Sequence, residues 1–350
     1  MRILLLGDAP SIHTRRWANG LSSRGMDVHL ASLRLSDVPG ISVHPLKPVA
    51  GSKALYLSVI PRLRALIRSL RPDIVHAHYA TSYGLLAALS GHPRVVITAW
   101  GSDVLIAPRE SVVLRMLLRL SLRRAKAVTS MAKHMNPSLL ALGVAPARLH
   151  VLPFGVDVDR FASRSVVDRE RGSVVCTRRF DRLYDVQCVV RAFAAARRDG
   201  YLRKLTLVGD GPLREELETL ISTLGMSESV QLLGQLEHSR LPEVLGTQEV
   251  FVSPAWSDGN NVSLNEAMAA GCFPLVTDIA ANTQWITHGV NGFVYPSGDV
   301  DALTALFRAI PTQRQLMDDA RQINLERVKR DADWQSALDR MCSIYDDVRS

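Results

Sequence analysis

Glu249 to Pro254 (EVFVSP), followed shortly by Ser257 to Gly271 (SDGNNVSLNEAMAAG), is the stretch that decides the fold. The apolar run reads as a buried strand, the polar glycine-containing segment as a loop, and the Ala-rich segment as a helix. A loop between a strand and a helix presents free backbone N–H groups and the positive end of the helix dipole, which together favour a phosphate or another anion. Asp258 sits in this loop and Glu266 lies eight residues on, inside the helix, so two carboxylates flank the helix start. A nucleotide-sugar gives them a purpose. Its pyrophosphate would take the backbone amides of Gly259, Asn260, Asn261, Val262 and Ser263, and its hydroxyls would donate to Asp258 and Glu266. A second reading stands beside it: Ser263 to Glu266 has the spacing of a capping box, with Ser263 as cap and Glu266 reaching back to its N–H.

Outward from this unit, short apolar strands alternate with helical segments along the whole chain. In the first half the strands are Arg2 to Leu6, Val28 to Ser32, Ile74 to His78, Val95 to Trp100 and Ala127 to Ser130. In the second they are Val174 to Thr177, Lys204 to Gly209, Val230 to Leu233, Glu249 to Ser253, Pro274 to Thr277 and Phe293 to Tyr295. Such alternation implies parallel sheets covered on both faces. With 350 residues, the chain suits two doubly wound α/β domains rather than one core. The boundary is expected within Pro153 to Ser173, which gives domains of 1–160 and 161–332 and a last helix over 333–350.

Charge is divided unevenly. Residues 1–165 hold 22 Lys/Arg against 8 Asp/Glu, a net of +14, whereas the rest nets −6. Much of the excess lies in Leu55 to Arg71 and Arg109 to Lys126, where arginines alternate with aliphatic residues and Arg115, Arg119 and Arg123 recur every fourth position. Basic amphipathic helices of this kind are candidates for an anionic membrane surface; the competing reading is an ordinary helix with its arginines in solvent. Nucleic acid is not expected as a partner, because aromatics are few and not interleaved with the arginines. No apolar run approaches the roughly 20 residues that span a bilayer. The four cysteines form no CxxC pair, so neither a disulfide framework nor a zinc site is expected, and Cys188 and Cys272 read as core thiols. A cytoplasmic location, peripheral at the inner membrane face, is the expectation from these features.

The order D-G-N-N-V-S-L-N-E-A-M-A-A-G-C-F-P-L-V-T-D from Asp258, with Gly289 to Phe293 (GVNGF) beyond it, resembles the C-terminal signature of glycosyltransferase family 4. That family comprises retaining enzymes of GT-B fold, two Rossmann-like domains facing across a cleft. Its usual pair of glutamates has Asp258 in the first place here, with the spacing intact. The resemblance implies a metal-independent transfer of a sugar from a nucleotide diphosphate to an acceptor hydroxyl on a glycan, lipid-linked sugar or small glycoside. No cofactor and no metal is implied. Asp258 would orient the donor sugar, Glu266 would hold the ribose, and Arg178 would bind the diphosphate. Arg182 or Arg179 is a candidate second cation, because Tyr184 stands where the family carries Lys. Gly209 in Gly209-Asp210-Gly211-Pro212 and Gly234 in Leu232 to Leu236 (LLGQL) match donor-side turns.

In the N-terminal half a single glycine, Gly7, precedes the first helix, which argues against a dinucleotide site. His13, at that helix start, is an acceptor-side candidate, with a capping or surface role as its alternative. His76 and His78 are read as facing opposite ways along one strand, His78 toward the acceptor. Thr98-Ala99-Trp100-Gly101-Ser102-Asp103 resembles the family's T-x-H-G-x-D, with Trp100 in the place of a catalytic-site His and Asp103 as an acceptor ligand. Trp100 can serve if the role belongs to its backbone carbonyl. Two alternatives to the enzyme are a nucleotide-sugar-binding protein without turnover, which the Trp100 and Tyr184 departures would suit, and a phosphorylase or epimerase relative of the same fold.

Overall fold

Each strand pairs with its sheet neighbours in parallel. The structure is a computed structural model that describes residues 1–47, 57–164 and 169–350. Residues 55 and 56 of the first Arg-rich stretch, and 165–168 of the expected linker, lie outside the described residues.

The chain forms two units: Met1–Phe154 with Gln335–Ser350, and Gly155–Trp334. The first contains β1 (Arg2–Leu6), β2 (Asp27–Ser32), β3 (Ser42–Pro45), β4 (Ile74–His78), β5 (Val95–Ala99), β6 (Ala127–Ser130) and β7 (Leu149–Val151), in the order β3-β2-β1-β4-β5-β6-β7. The second contains β8 (Glu170–Cys176), β9 (Lys204–Val208), β10 (Val230–Gly234), β11 (Gln248–Ser253), β12 (Phe273–Thr277) and β13 (Phe293–Tyr295), in the order β10-β9-β8-β11-β12-β13. Strand order reverses beside β1 and β4 in one sheet, and beside β8 and β11 in the other. At such switch points the loops after the two strands part, leaving a crevice beyond their carboxyl ends.

Two-residue periodicity builds the second unit's cores. Val174, Cys176, Val250, Val252 and Leu275 pack into one cluster, while Val175, Phe251 and Val276 face the other. Cys188 belongs to the first cluster and Cys272 to the second.

The units part at Phe154/Gly155, before residue 160, because Val156, Val158 and Phe161 are buried in the second unit's core. The last helix, Trp334–Arg349, begins one residue after the expected 333. The edge strands β3 and β7 carry no apolar run that would announce them, since all their residues are exposed or half-exposed. The long helix Arg314–Ala332 also went unpredicted: it is polar on most of its surface and buries only Met317, Ala320, Asn324, Val328 and Ala332.

Candidate active site

In the second unit, β8 ends at Cys176 and the chain runs on without regular structure into a tight turn at Arg179–Asp181. Arg178 and Phe180 turn inward and are buried, while Arg179 turns outward. Across the switch point, the loop after β11 brings Asp258 against Arg178, and the two form an ion pair. Arg178 Nη1 also donates to Asn261 Oδ1 at 3.0 Å, and the guanidinium lies 4.4 Å from the Tyr184 ring centroid. Burial disfavours the charge on Arg178, but the adjacent Asp258 carboxylate outweighs it and holds the guanidinium above its ordinary pKa. Its Nε is a buried donor with no partner among the described residues.

Asn261 ties this arrangement together. It caps the helix Val262–Ala269, its Oδ1 accepting from Leu264 N at 3.1 Å, and its Nδ2 donates to Ser253 Oγ at 2.9 Å and Asn282 Oδ1 at 2.8 Å. Ser263 is therefore not the cap; its hydroxyl donates to the Thr177 carbonyl at 3.2 Å. Glu266 does not close a capping box either. Its carboxylate, almost fully buried, accepts from His238 Nε2 at 2.6 Å. Nothing in sequence spacing links those two residues, 28 positions apart.

A cavity of about 640 Å³ opens beside Arg178, lined also by Arg179, Gly209, Asp210, Gly211 and Ser263. That volume suits a small-molecule ligand. The glycines are required by close backbone approach. A Cβ on Gly209, whose φ is +150°, would stand 2.3 Å from the Arg178 carbonyl oxygen, and one on Gly211 would stand 2.3 Å from that of Phe180. Gln235 and Leu236 complete a side wall. Gly234 itself does not line it; its carbonyl accepts from Gly209 N at 2.9 Å.

Several sequence assignments change here. Arg182 opens a 3-10 turn and lines a separate hollow with Asp185, Gln187, Glu216 and Trp256, so Arg179 rather than Arg182 is the second cation at the cavity. Within 259–263 only Ser263 lines the cavity. Asn261 is consumed by its own hydrogen bonds, and Asn260 Oδ1 accepts from Trp285 Nε1 at 3.1 Å. Gly259 is buried and Val262 half-buried.

In the first unit, His13, His78 and Trp100 come together at the carboxyl ends of β1, β4 and β5. His13 stacks on Phe154 with centroids 4.2 Å apart, and Trp100 meets Phe154 edge-on at 5.0 Å and His78 at 5.8 Å. Trp100 Nε1 and His78 Nδ1 are buried without partners among the described residues. His76 and His78 do not face opposite ways: residues two apart share a face of a strand, and their rings lie 4.8 Å apart. His76 is held between the Tyr345 hydroxyl and Thr98 Oγ1 at 2.6 and 2.7 Å. Burial, with His13 adding to it, pushes the His78 pKa down to about 3. Asp103 is not available to a ligand; it is fully buried and accepts from the amides of Ala80, Trp100 and Gly101. Burial raises its pKa against those amides. Its role is to fix the turn that carries Trp100.

Two units, each a doubly wound parallel sheet, with a buried arginine–carboxylate pair at the second switch point, match the GT-B architecture, and the comparisons agree. Residues 2–132 match the glycosyl transferase 4-like family and residues 158–326 match glycosyl transferases group 1. A Xanthomonas campestris GDP-mannose:cellobiosyl-diphosphopolyprenol alpha-mannosyltransferase is 24% identical over 294 residues, 82% of this chain and 77% of the relative. An Escherichia coli UDP-Gal:alpha-D-GlcNAc-diphosphoundecaprenol alpha-1,3-galactosyltransferase is 28% identical over 272 residues, 70% of this chain and 68% of the relative. Among solved structures, Anabaena HepE in complex with UDP and glucose superposes with a TM-score of 0.82 at 16% identity, covering 98% of each chain. The chain belongs with the GT-B glycosyltransferases.

Proposed function

We propose that this protein is a retaining, family 4-type glycosyltransferase that moves a hexose from a nucleoside diphosphate to an acceptor hydroxyl. The observation that carries the reading is the constellation of Arg178, Asp258 and Asn261 at the start of the helix Val262–Ala269, beside a cavity that also presents Arg179. Two guanidinium groups and a helix N-terminus form an anion site, and a guanidinium forks onto phosphate. The donor diphosphate takes this site, and the ribose hydroxyls donate to Glu266. Asp258 keeps Arg178 oriented and offers its remaining lone pairs to the sugar hydroxyls.

In the transfer step the bond from the sugar's anomeric carbon to the diphosphate oxygen breaks, and that oxygen keeps the electron pair. Arg178, Arg179 and the positive end of the helix at Ser263 stabilise the charge that builds there. The acceptor oxygen bonds to the anomeric carbon on the same face, and its proton passes to the departing diphosphate oxygen, so no separate base is needed. Arginine supplies the positive charge that a metal would otherwise bring. The first unit takes the acceptor at His13, His78 and Trp100, where the buried Trp100 Nε1–H and His78 Nδ1, which have no partner among the described residues, suit hydroxyls. A lipid-diphosphate-linked glycan is the favoured acceptor class, because the E. coli and Xanthomonas relatives are named for such substrates.

A thermal-shift panel of UDP-, GDP- and ADP-hexoses tests the donor half of this reading. A donor at 100 times its dissociation constant adds about 2.7 kcal/mol to stability. One base should stand out; no shift with any of them would contradict the reading.

A further inference from the structure

Five of the eleven large hydrophobic side chains that are exposed among the described residues fall on one helix, Val112–Arg124. Leu118, Ser121 and Leu122 are its buried residues and mark the face turned toward the protein. At about 100° per residue, Val112, Val113, Met116 and Leu120 span an arc of about 100° on the opposite side. They are not glancing exposures: Val112, Val113 and Met116 are 62%, 64% and 63% accessible. Arg115 and Arg119 lie on one flank of this stripe and Arg124 on the other, and Arg123 falls just inside its edge at the end of the helix.

An ordinary domain helix turns its apolar side to the core and its polar side to water. This one has an apolar stripe on its solvent side with cations beside it. The contrast with the other Arg-rich helix, Ile60–Leu70, is direct: that helix buries Leu63 and leaves no large hydrophobic residue exposed. The basic character of the first half therefore has two origins, and only Val112–Arg124 carries the mark of a surface binder.

We propose that the helix Val112–Arg124 lies in the headgroup region of an anionic phospholipid bilayer, with Val112, Val113, Met116 and Leu120 dipping into the acyl boundary. Charge complementarity selects this occupant. Residues 105–126 contain six Lys/Arg and one acidic residue, Glu110. A second copy docking by a two-fold axis would set Arg115, Arg119 and Arg123 beside their own equivalents, which like-charge repulsion opposes. An anionic lipid surface instead neutralises them, and long arginine stems let the heads stay at the phosphates while the stripe is buried. No helix of the described residues is long and apolar enough to cross a membrane, so attachment through this helix is in-plane.

Flotation of the full chain with vesicles of phosphatidylcholine alone, and of phosphatidylcholine mixed with phosphatidylglycerol, tests the proposal. Wild type should float with the phosphatidylglycerol vesicles, and the bound fraction should fall with salt, since the attraction decays over a Debye length of about 8 Å at physiological ionic strength. Two triple variants separate the contributions: Val112→Ser with Val113→Ser and Met116→Ser, and Arg115→Gln with Arg119→Gln and Arg123→Gln. Each should weaken binding more than about tenfold. All six positions are exposed, so near-ultraviolet circular dichroism should show both variants folded, and nucleoside diphosphate affinity should be unchanged. Wild type that ignores phosphatidylglycerol vesicles at low salt overturns the proposal, as does equal flotation of all three proteins. A wild-type dimer in sedimentation that the serine variant converts to monomer, without vesicle binding, assigns the stripe to a second copy and also overturns it.

Discussion

Replacing Glu266 with Ala separates ligand binding from architecture. The Glu266 side chain is 6% accessible and its one protein partner among the described residues is His238 Nε2, at 2.6 Å. It is not the helix cap, since Asn261 holds that place, so the substitution should not carry the roughly 1 kcal/mol cost of losing a cap. If the carboxylate receives a ribose hydroxyl, its loss removes a charge-assisted hydrogen bond worth about 1.5–3 kcal/mol. That converts to roughly a 10- to 150-fold weaker nucleoside diphosphate. Isothermal titration of UDP and GDP into wild type, Glu266→Ala and His238→Gln is the assay. The expected order is a large loss for Glu266→Ala and a small one for His238→Gln, which acts only by steadying the carboxylate. Wild-type affinity in Glu266→Ala would refute the assignment, and equal losses in both variants would reduce Glu266 to a partner of His238.

Asn261→Ala removes a cap and leaves Arg178, Ser253 and Asn282 short of partners in a buried setting. It should cost about 2–4 kcal/mol, read from the urea midpoint of the second unit's unfolding. Tyr184→Phe should keep donor affinity, because the ring face over Arg178 survives, whereas Tyr184→Ala should weaken it; equal effects would count against the stacking role. His78 stays neutral when folded down to about pH 3 but takes a proton below about 6.5 when unfolded. The unfolded state then binds more protons, so stability is full above pH 6.5 and falls with acidification at about 1.4 kcal/mol per pH unit for this one group. His78→Gln should flatten the acid limb of a stability-versus-pH curve.

The strand-helix alternation was legible because parallel strands buried on both faces must be apolar along their whole length, as Ile3 to Leu6 and Val250 to Val252 are. Edge strands escape that requirement, which is why β3 and β7 left no pattern. At the site, the resemblance pointed to Asp258 and Arg178, which form an ion pair, and to Glu266, but direction decided which other residues line the cavity. Arg179 and Arg182 are equally basic in sequence, and only the turn at Arg182–Tyr184 shows which of them leaves the cavity. Asp103 illustrates the opposite case. Its motif position suggested a ligand, yet three backbone amides occupy its carboxylate. Hydrogen bonding between distant segments, such as His238 with Glu266, leaves no trace in residue spacing.

Sugar transfer itself tests the central claim most directly. The protein is incubated with the hexose donor selected by the thermal-shift panel and a polyprenyl-diphosphate-linked sugar, and the product is analysed by proton NMR at the new anomeric centre. The account predicts stoichiometric release of nucleoside diphosphate, an anomeric configuration equal to the donor's, and a turnover in Arg178→Ala lowered by more than about a hundredfold. Inverted configuration, or undiminished turnover in Arg178→Ala, would contradict it.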